Sequence, residues 1–144
     1  MKLMTGNDCI EFVHGLTPDE LADTEHRLAP AMTDGTEPGW LIEGLVRGHY
    51  FVTKVTNKGK PLYRYVWYVS DRNYLHVSGS LFVGEPGEND DWIWMMGCEL
   101  IARQQKCRGI SFESQRRGHL VQGLRAGFKA TGVRMVKILE HAPL

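Results

Sequence analysis

Histidine titrates closest to neutrality and is the natural proton carrier among side chains. His76 stands in the run Tyr74–Val83 together with Ser78 and Ser80. No carboxylate adjoins those two hydroxyls, so the run holds no nucleophile–base–orienter set. His14, His26, His49 and His141 follow no metal-ligand spacing, and no metal site is expected. Cys9, Cys98 and Cys107 are odd in number and contain no C-x-x-C pair. That usage argues against a disulfide framework and a cysteine-rich zinc site, and reads as reduced thiols.

Charge supplies two further features. Glu85, Glu88, Asp90 and Asp91 crowd the segment Gly84-Glu85-Pro86-Gly87-Glu88-Asn89-Asp90-Asp91, and suit the positive end of a following helix. Arg116 and Arg117 do the opposite, opening a helix against its dipole at a cost of about 0.3–1 kcal/mol each. They need an offsetting partner: an acidic segment of this chain, another protein, or phosphate. Residues 1–100 carry 8 Lys+Arg and 15 Asp+Glu, and residues 101–144 carry 9 and 2. Arg125, Lys129, Arg134 and Lys137 extend the basic end, but no helix-turn-helix, zinc finger or RNA-binding motif accompanies them, so nucleic acid is not the expected partner.

These residues must be positioned by regular elements. Asp8 to His14 reads as a strand. Thr17-Pro18-Asp19-Glu20 then starts a helix, with Thr17 as cap, Pro18 at the first position and Glu20 reaching back, and Pro30 bounds it near Leu28. A short helix from Trp40 to Val46 closes near Gly48. Strands over His49–Thr56 and Leu62–Ser70 flank the hairpin residues Asn57-Lys58-Gly59-Lys60. A third strand, Tyr74–Val83, follows the turn Asp71-Arg72-Asn73, with Leu75, Val77, Leu81 and Val83 on one face and Gly79 as a bulge marker.

Helical spacing then puts Ile93, Met96, Gly97, Leu100 and Ile101 on one stripe of Trp92–Gln105. A strand over Arg108–Ser114, a helix over Gln115–Ala126 and an extended Phe128–Glu140 complete the chain. The order β-α-α-β-β-β-α-β-α-β-β implies an α/β (α+β) domain, residues 1–144, with a mixed sheet and helices on both faces. In the strand Leu62–Ser70, alternation sends Tyr63, Tyr65 and Trp67 to one face and Leu62, Arg64, Val66 and Tyr68 to the other. The aromatic set has two readings: cross-strand core pairs, or anchors of a protein interface.

Length and composition set the outer bounds. The 144 residues are 42% hydrophobic and 24% charged, ordinary values for one globular domain and not for a disordered chain. No apolar run reaches the ~20 residues of a membrane span. Met1–Asp8 has no apolar signal core, so export by that route is not expected.

The element order, with Gly97-Cys98-Glu99-Leu100-Ile101-Ala102, Lys106-Cys107-Arg108-Gly109-Ile110-Ser111-Phe112, Arg116-Arg117-Gly118-His119-Leu120 and Leu124-Arg125-Ala126-Gly127-Phe128-Lys129, resembles the GNAT (Gcn5-related N-acetyltransferase) fold. More narrowly, the C-terminal pattern is similar to that of the small GNAT-like proteins of tailed phages and prophages, over residues 38–140. The resemblance implies a mostly antiparallel sheet of six to seven strands. It also implies an acetyl-CoA pyrophosphate loop of the form R/Q-x-x-G-x-G/A between the fourth strand and the third helix, cradling phosphate with backbone N–H groups.

This chain departs from that pattern. Its loop has no Arg or Gln at the start, Pro86 removes a donor, and the four acids would each repel a ligand phosphate by up to roughly 1 kcal/mol in water-like surroundings. The fourth helix lacks the general-acid tyrosine found in many GNAT enzymes, leaving His119 as its near-neutral titratable group. His76 and Glu113 occupy strands from which such enzymes draw a base.

The expectation is therefore a phage-encoded GNAT-fold protein without acetyltransferase activity and without a cofactor, a binding or virion-assembly component of the host cytoplasm or virion. Its partner would be a virion protein or a second copy, met through Arg116, Arg117 and His119 or through Tyr63, Tyr65 and Trp67. The alternative is an acetyl-CoA-dependent N-acetyltransferase with an atypical loop. It would use backbone groups at Phe82, Val83 and Gly84 for the cofactor arm, and His76, His119 or Glu113 for proton transfer. That alternative requires an open split between the strands Tyr74–Val83 and Gly109–Ser114, with room for pantetheine and not filled by side chains such as Trp92 or Phe82.

Overall fold

The computed structural model describes residues 2–6, 8–32, 35–89, 91–113 and 117–130, with the backbone alone at 3, 5, 91, 117–119 and 122. The chain divides into two compact units, residues 1–113 and 114–144, each taken by itself below.

In the first unit, α1 (Pro18–Leu28) begins where local chemistry dictates. Thr17 accepts from the Glu20 N–H and the Glu20 side chain accepts from the Thr17 N–H, a complete capping box with Pro18 at the first position. The short α2 (Trp40–Val46) is followed by Gly48, whose φ of 73° lets the His49 and Tyr50 N–H groups turn back onto the Gly44 carbonyl. The strands are β1 (Lys2–Thr5), β2 (Asp8–His14), β3 (Phe51–Asn57), β4 (Lys60–Val69), β5 (Tyr74–Phe82) and β6 (Gly109–Phe112), with α3 (Asp91–Gln104) between the last two. They form one six-stranded sheet in the order β1-β2-β3-β4-β5-β6, antiparallel throughout except for the parallel pair β5–β6. The strand β1 was not expected from sequence; it is a short arm folded back on β2 through Gly6.

Each face of the sheet carries a helical layer. On one, α3 contributes Ile93, Cys98, Ile101 and Ala102 to a core with Ile10, Phe12, Val55, Tyr63, Tyr65, Trp67, Leu75 and Val77. On the other, Leu28 of α1 and Trp40 and Leu41 of α2 cover Val52 and Val66. Helix α3 approaches the sheet closely because Gly97 has no side chain: a Cβ there would lie 2.4 Å from the Tyr65 hydroxyl oxygen. That hydroxyl donates to the Trp94 carbonyl at 3.0 Å.

Two bulges correct the expected faces. Between β3 and β4, Val55 pairs with Tyr63 and Thr56 with Pro61, so Leu62 is an extra residue and packs with Tyr63 rather than opposite it. Between β4 and β5, Val66 pairs with Gly79 and Trp67 with Val77, which leaves Ser78 extra. Leu75 and Val77 therefore join the α3 core while Leu81 packs with the α1–α2 layer, and the single face expected for them does not exist.

In the second unit, α4 (Arg117–Arg125) ends as expected at Ala126-Gly127-Phe128. Gly127 has a φ of 93°, and the Phe128 N–H bonds the Gly123 carbonyl at 2.9 Å. The extended segment expected over Phe128–Glu140 lies, beyond residue 130, outside the described residues. No helix among the described residues is long and apolar enough to cross a membrane.

Candidate functional site

The chemistry-bearing residues of the first unit gather where β5 and β6 part. The two strands pair from Tyr74↔Gly109 to Val77↔Phe112, and the next residue of β5 is the bulge, Ser78. From Ser78 to Phe82 the strand runs on with no described partner on its β6 side. The Val83 N–H is held by the Leu62 carbonyl at 2.8 Å, so by antiparallel alternation Leu81 also faces β4. Ser80 and Phe82 then turn their N–H and C=O groups toward the uncovered edge. Of the expected backbone donors Phe82 is available and Val83 is not. Gly84 is a packing position, since a Cβ there would lie 2.8 Å from the Phe82 ring.

The α3 side of this split has an aromatic wall. Trp94 donates its indole N–H to Ser80 Oγ at 3.0 Å and meets the Phe112 ring edge-on at 6.0 Å, spanning both strands. Trp92 is exposed and Phe82 packs on the Tyr63 ring at 5.4 Å, so it is Trp94 that occupies the α3 side of the split.

His76 lies beside the bulge, opposite Ser111 of β6. Its Nδ1 is 2.9 Å from Ser111 Oγ, and the Tyr68 ring covers it with centroids 4.9 Å apart. Burial lowers its pKa from the ordinary histidine value, while the nearby Glu113 carboxylate pulls the other way. The ring is thus neutral near pH 7, the form that accepts a proton. Ser78 Oγ is buried at the bulge and has no hydrogen-bond partner among the described residues. The fold therefore brings His76, Ser78, Ser111 and the Glu113 field together.

The loop after β5 is built differently. Glu88 Oε1 accepts the Glu85 N–H at 3.1 Å, and the Glu88 N–H returns to the Glu85 carbonyl at 3.1 Å. The loop thus ties its Glu85 donor to its own Glu88 carboxylate, and Asn89 is anchored by the Tyr63 hydroxyl.

Other candidates fall elsewhere. Tyr63, Tyr65 and Trp67 are 4%, 0% and 4% exposed, core residues that present no surface to a partner. Trp67 donates to Thr53 Oγ1 at 2.9 Å, and Thr53 also holds His14 Nδ1 at 2.7 Å. Arg116 and the side chains of Arg117 and His119 lie outside the described residues. Cys98 is fully buried and its thiol is pushed up by burial, so it is unreactive. Among the described residues no three His, Cys, Asp or Glu side chains are grouped to hold a metal.

No family model matches the chain, and no curated protein matches it. Solved structures do. A protein of Pyrococcus furiosus described as an acetyl transferase aligns with a TM-score of 0.69 at 14% identity, over 90% of this chain and 99% of its own. The aminoglycoside N-acetyltransferase AAC(6')-Iy, solved in complex with CoA, aligns with a TM-score of 0.60 at 12% identity, over 97% of this chain and 100% of its own. A GCN5-related N-acetyltransferase from Ralstonia eutropha aligns with a TM-score of 0.57 at 17% identity, over 90% and 98%. The chain has the GNAT fold.

In GNAT terms the two halves of the expected cofactor site fit unequally. The bulged β5 turns the backbone groups of Ser80 and the Phe82 N–H toward the edge that has no described partner, which suits an extended thioester arm, while the Phe82 carbonyl is met by Arg27. The loop from Gly84 to Asn89 does not suit a diphosphate: its Glu85 donor is taken and its side chains are acidic.

Proposed function

We propose that this chain is an acyl-CoA-dependent N-acyltransferase, the reading that sequence left as the alternative. The observation that carries it is the coincidence of the Ser78 bulge with the end of β5–β6 pairing, which exposes the backbone edge of β5 beside a neutral histidine. When bound, acetyl-CoA supplies an acyl group activated as a thioester. His76 would take the proton that the acceptor amine sheds as its nitrogen bonds to the acyl carbon; the carbon–sulfur bond then breaks, and the CoA thiolate leaves, protonated by the imidazolium or by solvent. In the tautomer whose Nδ1–H donates to Ser111 Oγ, the ring's other nitrogen, Nε2, holds the lone pair for that task. Trp94 keeps water from the α3 side.

A second reading is favoured by one observation, the self-satisfied acidic loop. Under it the chain is a GNAT-fold binding component without transfer activity, and the virion setting rests on the resemblance to phage proteins alone.

Incubation with acetyl-CoA and a panel of primary amines, followed by thiol release and product mass, separates the two. Acylated amine with release of thiol, abolished by His76→Asn, supports the transferase. Acetyl-CoA left intact across the panel supports the binding component.

A further inference from the structure

Helix α1 crosses the sheet near the loop end and lays a row of charges along its path. Lys54 Nζ lies 3.0 Å from Glu20, Arg64 Nη1 2.7 Å from Asp23, and Arg27 Nη2 3.4 Å from the Phe82 carbonyl. Helix α1 also carries Asp19 and Glu25, so no net positive charge results, but of the three cations Arg27 is the least taken up. Glu20 is taken by Lys54 and the helix cap, and Asp23 is held first by the Arg64 guanidinium, which keeps its carboxyl below the usual range. Arg27 reaches Asp23 only at 3.4 Å and is 43% exposed, against 27% for Lys54 and 11% for Arg64. A guanidinium carries five N–H donors in a planar fork, and two long contacts leave most of them for another acceptor.

Position gives that acceptor its identity. Phe82 is the last residue of β5, its carbonyl points to the uncovered edge, and the loop that follows contributes carboxylates and no basic residue. We propose that Arg27, from α1, contacts the phosphate portion of an acyl-CoA donor at the mouth of the split, in place of the basic residue that the loop lacks. This rests on the acyl-CoA reading of the split. It assigns to α1 a donor-binding role additional to packing on the sheet.

Calorimetric titration of the full chain tests it with two thioesters. Acetyl-CoA carries phosphates; S-acetylpantetheine has the same arm and none. Arg27→Ala is expected to weaken acetyl-CoA about tenfold, the worth of one charge-assisted hydrogen bond, and to leave S-acetylpantetheine within about twofold. Arg27→Lys keeps the charge but not the fork, and should fall between. Melting curves check that both variants are folded, which the exposure of Arg27 favours. An unchanged affinity of Arg27→Ala for acetyl-CoA overturns the proposal, as does an equal loss for both thioesters, which would mean that Arg27 acts only by bracing Phe82. Failure of the unaltered chain to bind either thioester would instead defeat the acyl-CoA reading, and this proposal with it.

Discussion

The edge of β5 and the loop that leaves it are contiguous in sequence yet obey opposite chemistry. At Ser80 and Phe82 the backbone N–H groups face outward on the β6 side, where no partner is described, beside a neutral imidazole and an unmet hydroxyl. From Glu85 to Asn89 several polar groups are already engaged within the chain: Glu88 holds the Glu85 N–H, and the Tyr63 hydroxyl of β4 holds Asn89. Unmet hydrogen-bonding capacity is costly and persists where something else fulfils it. Satisfied capacity needs no ligand. The difference teaches that binding to this molecule, if it follows the GNAT plan, is led by the thioester arm and not by the loop.

The comparison can be broken at four points. The largest effect belongs to the edge. His76→Asn should lower acyl transfer by about 100-fold or more, the usual scale of a general base, with thioester affinity little changed. Loss of affinity with an unchanged turnover would move His76 from chemistry to binding. Next is the support that both regions share. In Gly97→Ala, the new Cβ meets the Tyr65 hydroxyl beneath the first turns of α3, and denaturant unfolding should show a loss of about 1–3 kcal/mol.

The loop yields a smaller effect of opposite sign. Glu85→Gln with Glu88→Gln should tighten acetyl-CoA by up to about thirtyfold at low salt, since each removed charge relieves up to roughly 1 kcal/mol of repulsion. S-acetylpantetheine affinity should not move. A loosening of both would show that the loop's own bonds, not its charge, matter to the site.

Acidity gives the smallest and broadest effect. Burial alone would raise the Glu20 carboxyl, but the Thr17 N–H and Lys54 bring it below its ordinary value, and Arg64 lowers Asp23. A carboxyl lowered in the folded state stabilises above its unfolded pKa, and that contribution is lost as pH falls through the folded one. Melting temperature should therefore hold to about pH 4 and fall below it, with a flatter acid limb in Asp23→Asn. His76 is also lowered, so transfer should persist below the ordinary histidine pKa of about 6.5 before it declines.

Local signals made much of this architecture legible. The Thr17–Glu20 capping box, the hairpin at Lys58-Gly59 and the Gly48 stop each depend on residues within a few positions, and each stands where the sequence put it. The sidedness of β4 and β5 did not follow. Strict alternation through Leu62 and Ser78 assumes regular pairing, but a bulge is set by the register of the neighbouring strand. Gly79 hinted at the second bulge without saying which residue would be extra.

The site divides in the same way. His76 and Glu113 were visible by type and by their strands. Ser111 as the partner of His76 was not, because their pairing spans the whole of α3. Arg27 was invisible for a similar reason: its position depends on how α1 crosses three strands. The aromatic run of β4 could have faced a partner or the core on composition alone; close packing against Gly97 and α3 decided for the core.

The central claim is that the open edge of β5 is a thioester-binding edge despite the acidic loop beside it. Titrating the folded full-length chain with acetyl-CoA tests that most directly. Saturable one-to-one binding in the micromolar range, competed by S-acetylpantetheine, is the result expected; no heat and no shift in melting temperature at millimolar acetyl-CoA would contradict it.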